Sequence, residues 1–114
     1  MQQIRTYINQ INNRIKKINL DNITSITNYA FYGSGLTEVR LDKIKIICMH
    51  SFGKTNIEKL YIGSSITQMD INAFKGCINI EEIVIEDNKY FEIVDNSLIN
   101  SETKEVIATI KWGV

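Results

Sequence analysis

Residues 36–41 read LTEVRL, and they decide the fold. The same form, apolar-x-x-apolar-x-apolar, returns at 57–62 as IEKLYI and at 80–85 as IEEIVI. An earlier copy, IKKINL, occupies 15–20. The copies begin at residues 15, 36, 57 and 80, so their spacings are 21, 21 and 23. Self-similarity at such a period is the signature of a solenoid. One coil cannot bury its apolar face alone, but stacked coils bury a continuous core.

Between the copies a second pattern repeats. Ile23-x-x-Ile26 is followed by Ala30-Phe31 and Gly33. Ile44-x-x-Ile47 is followed by Ser51-Phe52 and Lys54. Ile66-x-x-Met69 is followed by Ala73-Phe74 and Gly76. Counted back from each Phe, the two aliphatics fall eight and five residues earlier. Stacking therefore predicts aliphatic ladders and a column of three Phe rings, with the small residue before each Phe letting coils approach. The segment before each Phe, such as ITNYAFYG, suits a short helical turn. Gly33 and Gly76 suit a turn with positive φ, which a Cβ penalises. Lys54 holds that place in the middle copy with Gly53 one position earlier, which predicts a shifted turn there. One extra residue follows Phe74, in GCINI, and accounts for part of the longer last interval.

Residues 2–14 carry Ile4, Ile8 and Ile11 at helical steps, in line with Ile15. A helix there would cap the open end of the array. Deleting it is expected to expose the first coil and cause aggregation. The helix ends before Lys16, because Ile15, Ile18 and Leu20 then fit a first strand. At the other end, FEIVDNSLI and KEVIATI are β-rich runs separated by the polar NSETK. Trp112, the single Trp, is expected to cover the last coil, since large aromatics contribute chiefly buried area.

The pattern I-x-x-I-x-x-x-A-F-x-G followed by L-x-x-V-x-L resembles the BspA-like leucine-rich repeat, from about residue 15 to residue 85. Asn88-x-x-Phe91-x-x-Val94-Asp95-x-x-Leu98, then Thr103-Lys104-x-x-Ile107, is similar to the hairpin element of that family. The family's usual Asp-Gly turn is Asp95-Asn96 here, and Asn tolerates the left-handed region nearly as well. The expected fold is thus an α/β solenoid: a short leucine-rich-repeat array of about four coils with parallel strands. Residues 1–14 form a helical cap, 15–87 the repeats and 88–114 a β-hairpin cap, in one domain.

Composition bounds the partners. The 114 residues include 13 basic and 13 acidic side chains. A net charge of zero argues against nucleic acid or an anionic membrane, which both select a positive field. No run approaches the roughly 20 apolar residues of a membrane span, so no membrane insertion is expected. The N-terminus lacks the apolar core of a signal peptide. The default expectation is cytoplasmic, although relatives are often surface or secreted proteins. Two cysteines, Cys48 and Cys77, are too few for a disulfide scaffold and read as free, partly buried thiols.

Catalytic patterns are thin. The one His, His50, has Tyr29 and Asn72 as repeat equivalents, which marks a tolerant surface or turn position. Cys48 lies two residues from it, but no third orienting group is evident. There is no phosphate-binding Gly-rich loop and no metal-ligand spacing. Glu81-Glu82 and Glu86-Asp87 do not form a carboxylate site either, since neighbours on a strand point to opposite sides. The chain is expected to be no enzyme and to hold no cofactor.

The outward strand positions are more informative. One column is Lys17, Glu38, Lys59, Glu82, with alternating signs that suit a register-fixing ladder. The next is Asn19, Arg40, Tyr61, Val84, which has no evident logic as a ladder but includes Arg and Tyr, residues enriched in binding hot spots. A third, Asp21, Asp42, Gly63, Glu86, marks the strand ends. The expected partner-binding residues are Arg40, Tyr61 and Val84, flanked by Glu38 and Lys59. The competing reading, in which Tyr61 and Val84 only cover the sheet, stays open on sequence alone. Tyr29 and Tyr32 give a smaller patch on the opposite side of the coil.

The function expected is a non-catalytic module that binds another protein through the strand face. Resemblance to the family implies adhesion-type binding in larger secreted proteins. The alternative is a small intracellular inhibitor or regulator of another protein, for example from a mobile element. A short array with an open edge can also pair with itself, so a homo-oligomer is a further expectation.

Overall fold

A computed structural model describes residues 16–111. The expected helix over 2–14 and the role expected of Trp112 lie outside these residues. The described chain forms nine strands in three sheets, and no helix is among them.

The repeated stretches build the first sheet. Strands β2 (Glu38–Leu41), β4 (Lys59–Ile62) and β6 (Glu82–Ile85) pair in parallel in that order. The register is Glu38 opposite Lys59 opposite Glu82, and Arg40 opposite Tyr61 opposite Val84, as the repeat alignment predicts. Alternate side chains point inward, and Val39, Leu41, Leu60 and Ile62 are fully buried.

A second parallel sheet was not expected. The second aliphatic of each pair sits on a two-residue strand: β1 (Ser25–Ile26), β3 (Ile46–Ile47) and β5 (Gln68–Met69), paired in that order. The third side of the coil carries no strand but is still hydrogen-bonded between coils. The N–H groups of Tyr29, Phe31 and Gly33 donate to the carbonyls of Met49, Ser51 and Gly53 at 3.0, 2.8 and 2.8 Å. Those of Phe52 and Lys54 donate to Ala73 and Lys75, both at 2.9 Å. The segment before each Phe is a set of turns, where a short helical turn was expected: alternate N–H groups bond the next coil, and those of Ala30 and Tyr32 close turns to the carbonyls of Thr27 and Tyr29.

The Phe column forms as expected. Phe31 and Phe52 stack with centroids 5.3 Å apart, and Phe52 and Phe74 at 5.4 Å, with planes within 9° and 7° of parallel. Beside it Ser51 is buried, its Oγ lying 2.6 Å from the Cys48 carbonyl and 3.0 Å from that of Thr27.

Two sequence expectations need correction here. The turn at Lys54 does not shift: Gly33, Lys54 and Gly76 all have positive φ, at 73°, 53° and 84°. Coil-to-coil hydrogen bonding imposes the geometry whatever the residue. The expected first strand is also missing, since residues 16–20 are not a strand. Thr37 ties them to the next coil, its N–H donating to the Lys16 carbonyl at 2.9 Å and its Oγ1 to the same carbonyl at 3.4 Å. At the end of this stretch Asn19 Oδ1 accepts the Asp21 N–H at 2.8 Å and helps close the turn that follows. Leu20 is nonetheless buried, so the apolar pattern reported burial correctly while the ladder failed. Three strands, not four, stand side by side among the described residues.

After Ile85 the chain leaves the solenoid. Strands β7 (Phe91–Val94), β8 (Ser97–Asn100) and β9 (Val106–Thr109) form an antiparallel meander, one strand more than a hairpin. Asp95 and Asn96, at φ 51° and 63°, make the two-residue turn, with Val94 opposite Ser97. Positive φ at both central positions is the type I′ geometry that suits twisted hairpins. Phe91, Leu98, Ile107 and Ala108 join the same core as the coils. Asn88 fixes the junction. Its Nδ2 donates to the carbonyls of Gly63 and Ile66 at 3.0 and 2.9 Å, and its Oδ1 accepts the N–H groups of Tyr90 and Phe91.

Candidate functional site

The strand sheet brings the five expected site residues together. Glu38 and Arg40 project from β2, Lys59 and Tyr61 from β4, and Val84 from β6, all at outward positions of the pleat. Arg40 and Lys59 are exposed, and the other three are half-buried.

The column of Arg40, Tyr61 and Val84 has more order than its sequence suggested. The Arg40 guanidinium lies over the Tyr61 ring, 4.5 Å from its centroid. Its Nε donates to Asp42 Oδ2 at 3.3 Å. Two contacts therefore hold one long side chain across two strands, which lowers the entropy a partner must remove on docking. Asp42 was read only as a strand-end acid. Its spacing of two from Arg40, which places both on one face of a strand, was the signal available.

Beside Asp42 the coils approach closely. A Cβ at Gly63 would fall 2.9 Å from the Asp42 carbonyl oxygen and 3.0 Å from its Cα. The third column can therefore hold only glycine at this coil without displacing backbone. The first column keeps its alternating register, but only Lys17 and Glu38 close to an ion pair, at 3.9 Å. Lys59 makes no ion pair within 4.0 Å among the described residues. Lys17 is largely exposed and the contact is long, so the pair contributes little to stability. A cavity of about 170 Å³ borders the site on the first-coil side, where residues 17–21 diverge from β2. Lys17, Asn19, Glu38 and Arg40 are among its walls.

The opposite side of the coil carries an aromatic cluster. Tyr29 and Tyr32 meet edge to face at 5.2 Å, and His50 stacks on Tyr29 at 4.9 Å. His50 was expected at a tolerant surface or turn position. It is in a turn, at φ 55°, but it is packed: its Nδ1 is buried and has no hydrogen-bond partner among the described residues. No hydrogen bond joins His50 to Cys48 among the described residues. Cys48 and Cys77 are both free thiols. Cys77 Sγ donates to the Phe52 carbonyl at 2.9 Å and lies 3.1 Å from Thr55 Oγ1. Burial pushes its thiol above the ordinary value, the Thr55 hydrogen bond opposing in part. A thiol so held is a weak nucleophile.

The sequence pattern described as a BspA type leucine rich repeat region (6 copies) matches residues 2–111. The chain belongs to this family. The match extends over the stretches expected to be caps as well as the central coils, so the BspA-type pattern spans nearly the whole chain. Among solved structures, this BspA-type chain is similar to a leucine rich cell surface protein from Faecalibacterium prausnitzii A2-165, with a TM-score of 0.59 and 22% identity over 74% of its length. It spans 22% of that longer chain. At this identity the likeness bears on the repeat fold alone. A search of curated proteins gives no match.

Proposed function

We propose that this BspA-type repeat chain is a non-catalytic protein-interaction module whose partner docks on the outer face of β2, β4 and β6. Glu38, Arg40, Lys59, Tyr61 and Val84 make the contact surface. The observation that carries the reading is the Arg40 guanidinium held over the Tyr61 ring at 4.5 Å and braced by Asp42. Arg and Tyr dominate interface hot spots, and a pair already ordered in the free protein loses less freedom on binding. Val84 supplies an apolar neighbour, and the Glu38 and Lys59 charges provide a polar rim. The partner on this reading is a protein with a carboxylate placed for Arg40 and an apolar contact for Tyr61. An adhesion-type role is the form this reading takes from the chain's BspA-type repeats.

The test is affinity capture from the source cell and from its surroundings, with the native protein and an Arg40→Ala/Tyr61→Ala double variant side by side. Far-ultraviolet circular dichroism first establishes that both are folded. A partner captured by the native protein and lost with the double variant supports the strand face. A partner retained equally by both overturns it and moves the site to the aromatic cluster or the meander.

A further inference from the structure

Among the described residues the first sheet ends on β6, which has a strand neighbour on one side only. The N–H groups of Glu82 and Glu86 donate inward, to Glu58 and Ile62, at 3.0 Å each. In a parallel strand the intervening residues turn the other way, so the N–H and C=O groups of Ile83 and Ile85 line the free edge. Upstream, this edge already accepts a backbone donor: the Lys111 N–H bonds the Ile80 carbonyl at 2.7 Å, and Lys111 Nζ lies 3.8 Å from Glu81. From Ile83 to Ile85 no strand covers it among the described residues.

The side chains on β6 show the same incompleteness. Leu41 and Ile62, the counterparts of Ile85 in the earlier coils, are 0% and 1% exposed. Ile85 is only half-buried, and among the described residues no coil lies beyond it. It opens instead into a groove whose walls include Lys89, Phe91, Glu92 and Ile93. Ile93 is itself exposed. Glu82 stands last in the alternating column and faces Lys59 on one side alone.

We infer that the free edge of β6 is a strand-addition site for an extended peptide of the form basic-apolar-x-apolar, paired parallel to β6. The basic residue lies beside Glu82, continuing the alternation of charge. The two apolar residues cover Ile83 and Ile85, and the backbone bonds the groups of Ile83 and Ile85 left open on the edge. This form is the one β4 presents to β6 from the other side, as Lys59, Leu60, Tyr61, Ile62. The edge is separate from the outer face at Arg40 and Tyr61, and the inference holds whether or not that face binds a partner. Main-chain bonds supply most of the attraction in strand addition, and side-chain pockets supply the selectivity.

The test uses the intact 114-residue protein and a fluorescein-labelled peptide with the sequence of residues 54–64, KTNIEKLYIGS. Fluorescence anisotropy is expected to show saturable binding. Replacing the peptide lysine before leucine with glutamate should weaken it about threefold, as for a cross-strand charge pair. Glu82→Lys should reverse that preference, and its exposed position leaves the fold intact. N-methylation of the peptide amides that face β6 should abolish binding. A peptide that does not bind, or that binds equally well when N-methylated, overturns the inference. So does light scattering that shows a dimer of the protein alone which Glu82→Lys separates, because the edge then belongs to a second copy.

Discussion

Lys54 holds a backbone conformation that its Cβ opposes. Its φ of 53° matches the glycines at the same place in the coils on either side. A non-glycine residue in this region costs about 1 kcal/mol or more. Lys54→Gly should therefore raise the unfolding free energy by about 1 kcal/mol, less what the freer unfolded chain takes back. Chemical denaturation checks it, and an unchanged or lowered midpoint would show that the contact of the Lys54 side chain with Tyr32, 6.0 Å from Nζ to the ring centroid, outweighs the strain. Cys77 gives a second residue-scale prediction. Its pKa is raised in the folded state above the ordinary 9.0 by burial. Below that value both states hold the thiol proton and no stability is at stake. As pH rises past it, the unfolded thiol ionises first, so the folded state loses stability until its own thiol ionises. The difference in stability between native protein and Cys77→Ala should accordingly shrink with rising pH above about 9. A constant difference across that range would contradict the burial seen here.

At the scale of elements, one side chain supplies a concentrated hydrogen-bonding tie between the meander and the coils, beside the core they share. Asn88 makes four hydrogen bonds, two to the third coil and two to the start of β7. At roughly 0.5–1.5 kcal/mol each, Asn88→Ala should cost about 3 kcal/mol. Hydrogen exchange should then show protection lost first in β7 and β8, with β2 and β4 less affected. Uniform loss across all strands would mean that the meander and the coils unfold as one body. The sheets themselves were legible in the sequence to different degrees. The strand LTEVRL recurs with a fixed alternation, and its register followed directly. The second sheet has only two residues per strand, too few for alternation to register, so it was read as ladders of aliphatics. Asn88 was legible only as the first residue of the pattern resembling the hairpin element, and its four hydrogen bonds were not, because they join the meander to a coil distant in sequence. The Arg40 stack was missed for a related reason, since its column was judged by likeness down the repeat and its contact joins unlike residues.

For the whole molecule, stability in a stack of coils is a sum over neighbours. The Phe column makes this measurable. Phe52 touches rings on both sides, whereas Phe31 and Phe74 each touch one in the column. Phe52→Ala should cost about 3–5 kcal/mol, the range for a buried aromatic, and Phe31→Ala distinctly less. Thermal unfolding of the two variants compares them. Equal losses would show that the column acts as one packed body.

The unequal intervals in the sequence find their place in the third coil. One additional residue falls after Ile62, where Gly63, Ser64 and Ser65 turn the corner, and one after Phe74, where Ile78 stands 76% exposed. Neither disturbs the pairing of β4 with β6, in which Tyr61 still meets Val84. Corners of the coil thus absorb changes of length that the sides do not transmit. A lineage carrying such a gene can gain or lose codons at these corners without retuning the rest. Descendants that differ in coil length can then keep one continuous strand face while presenting different loops around its border.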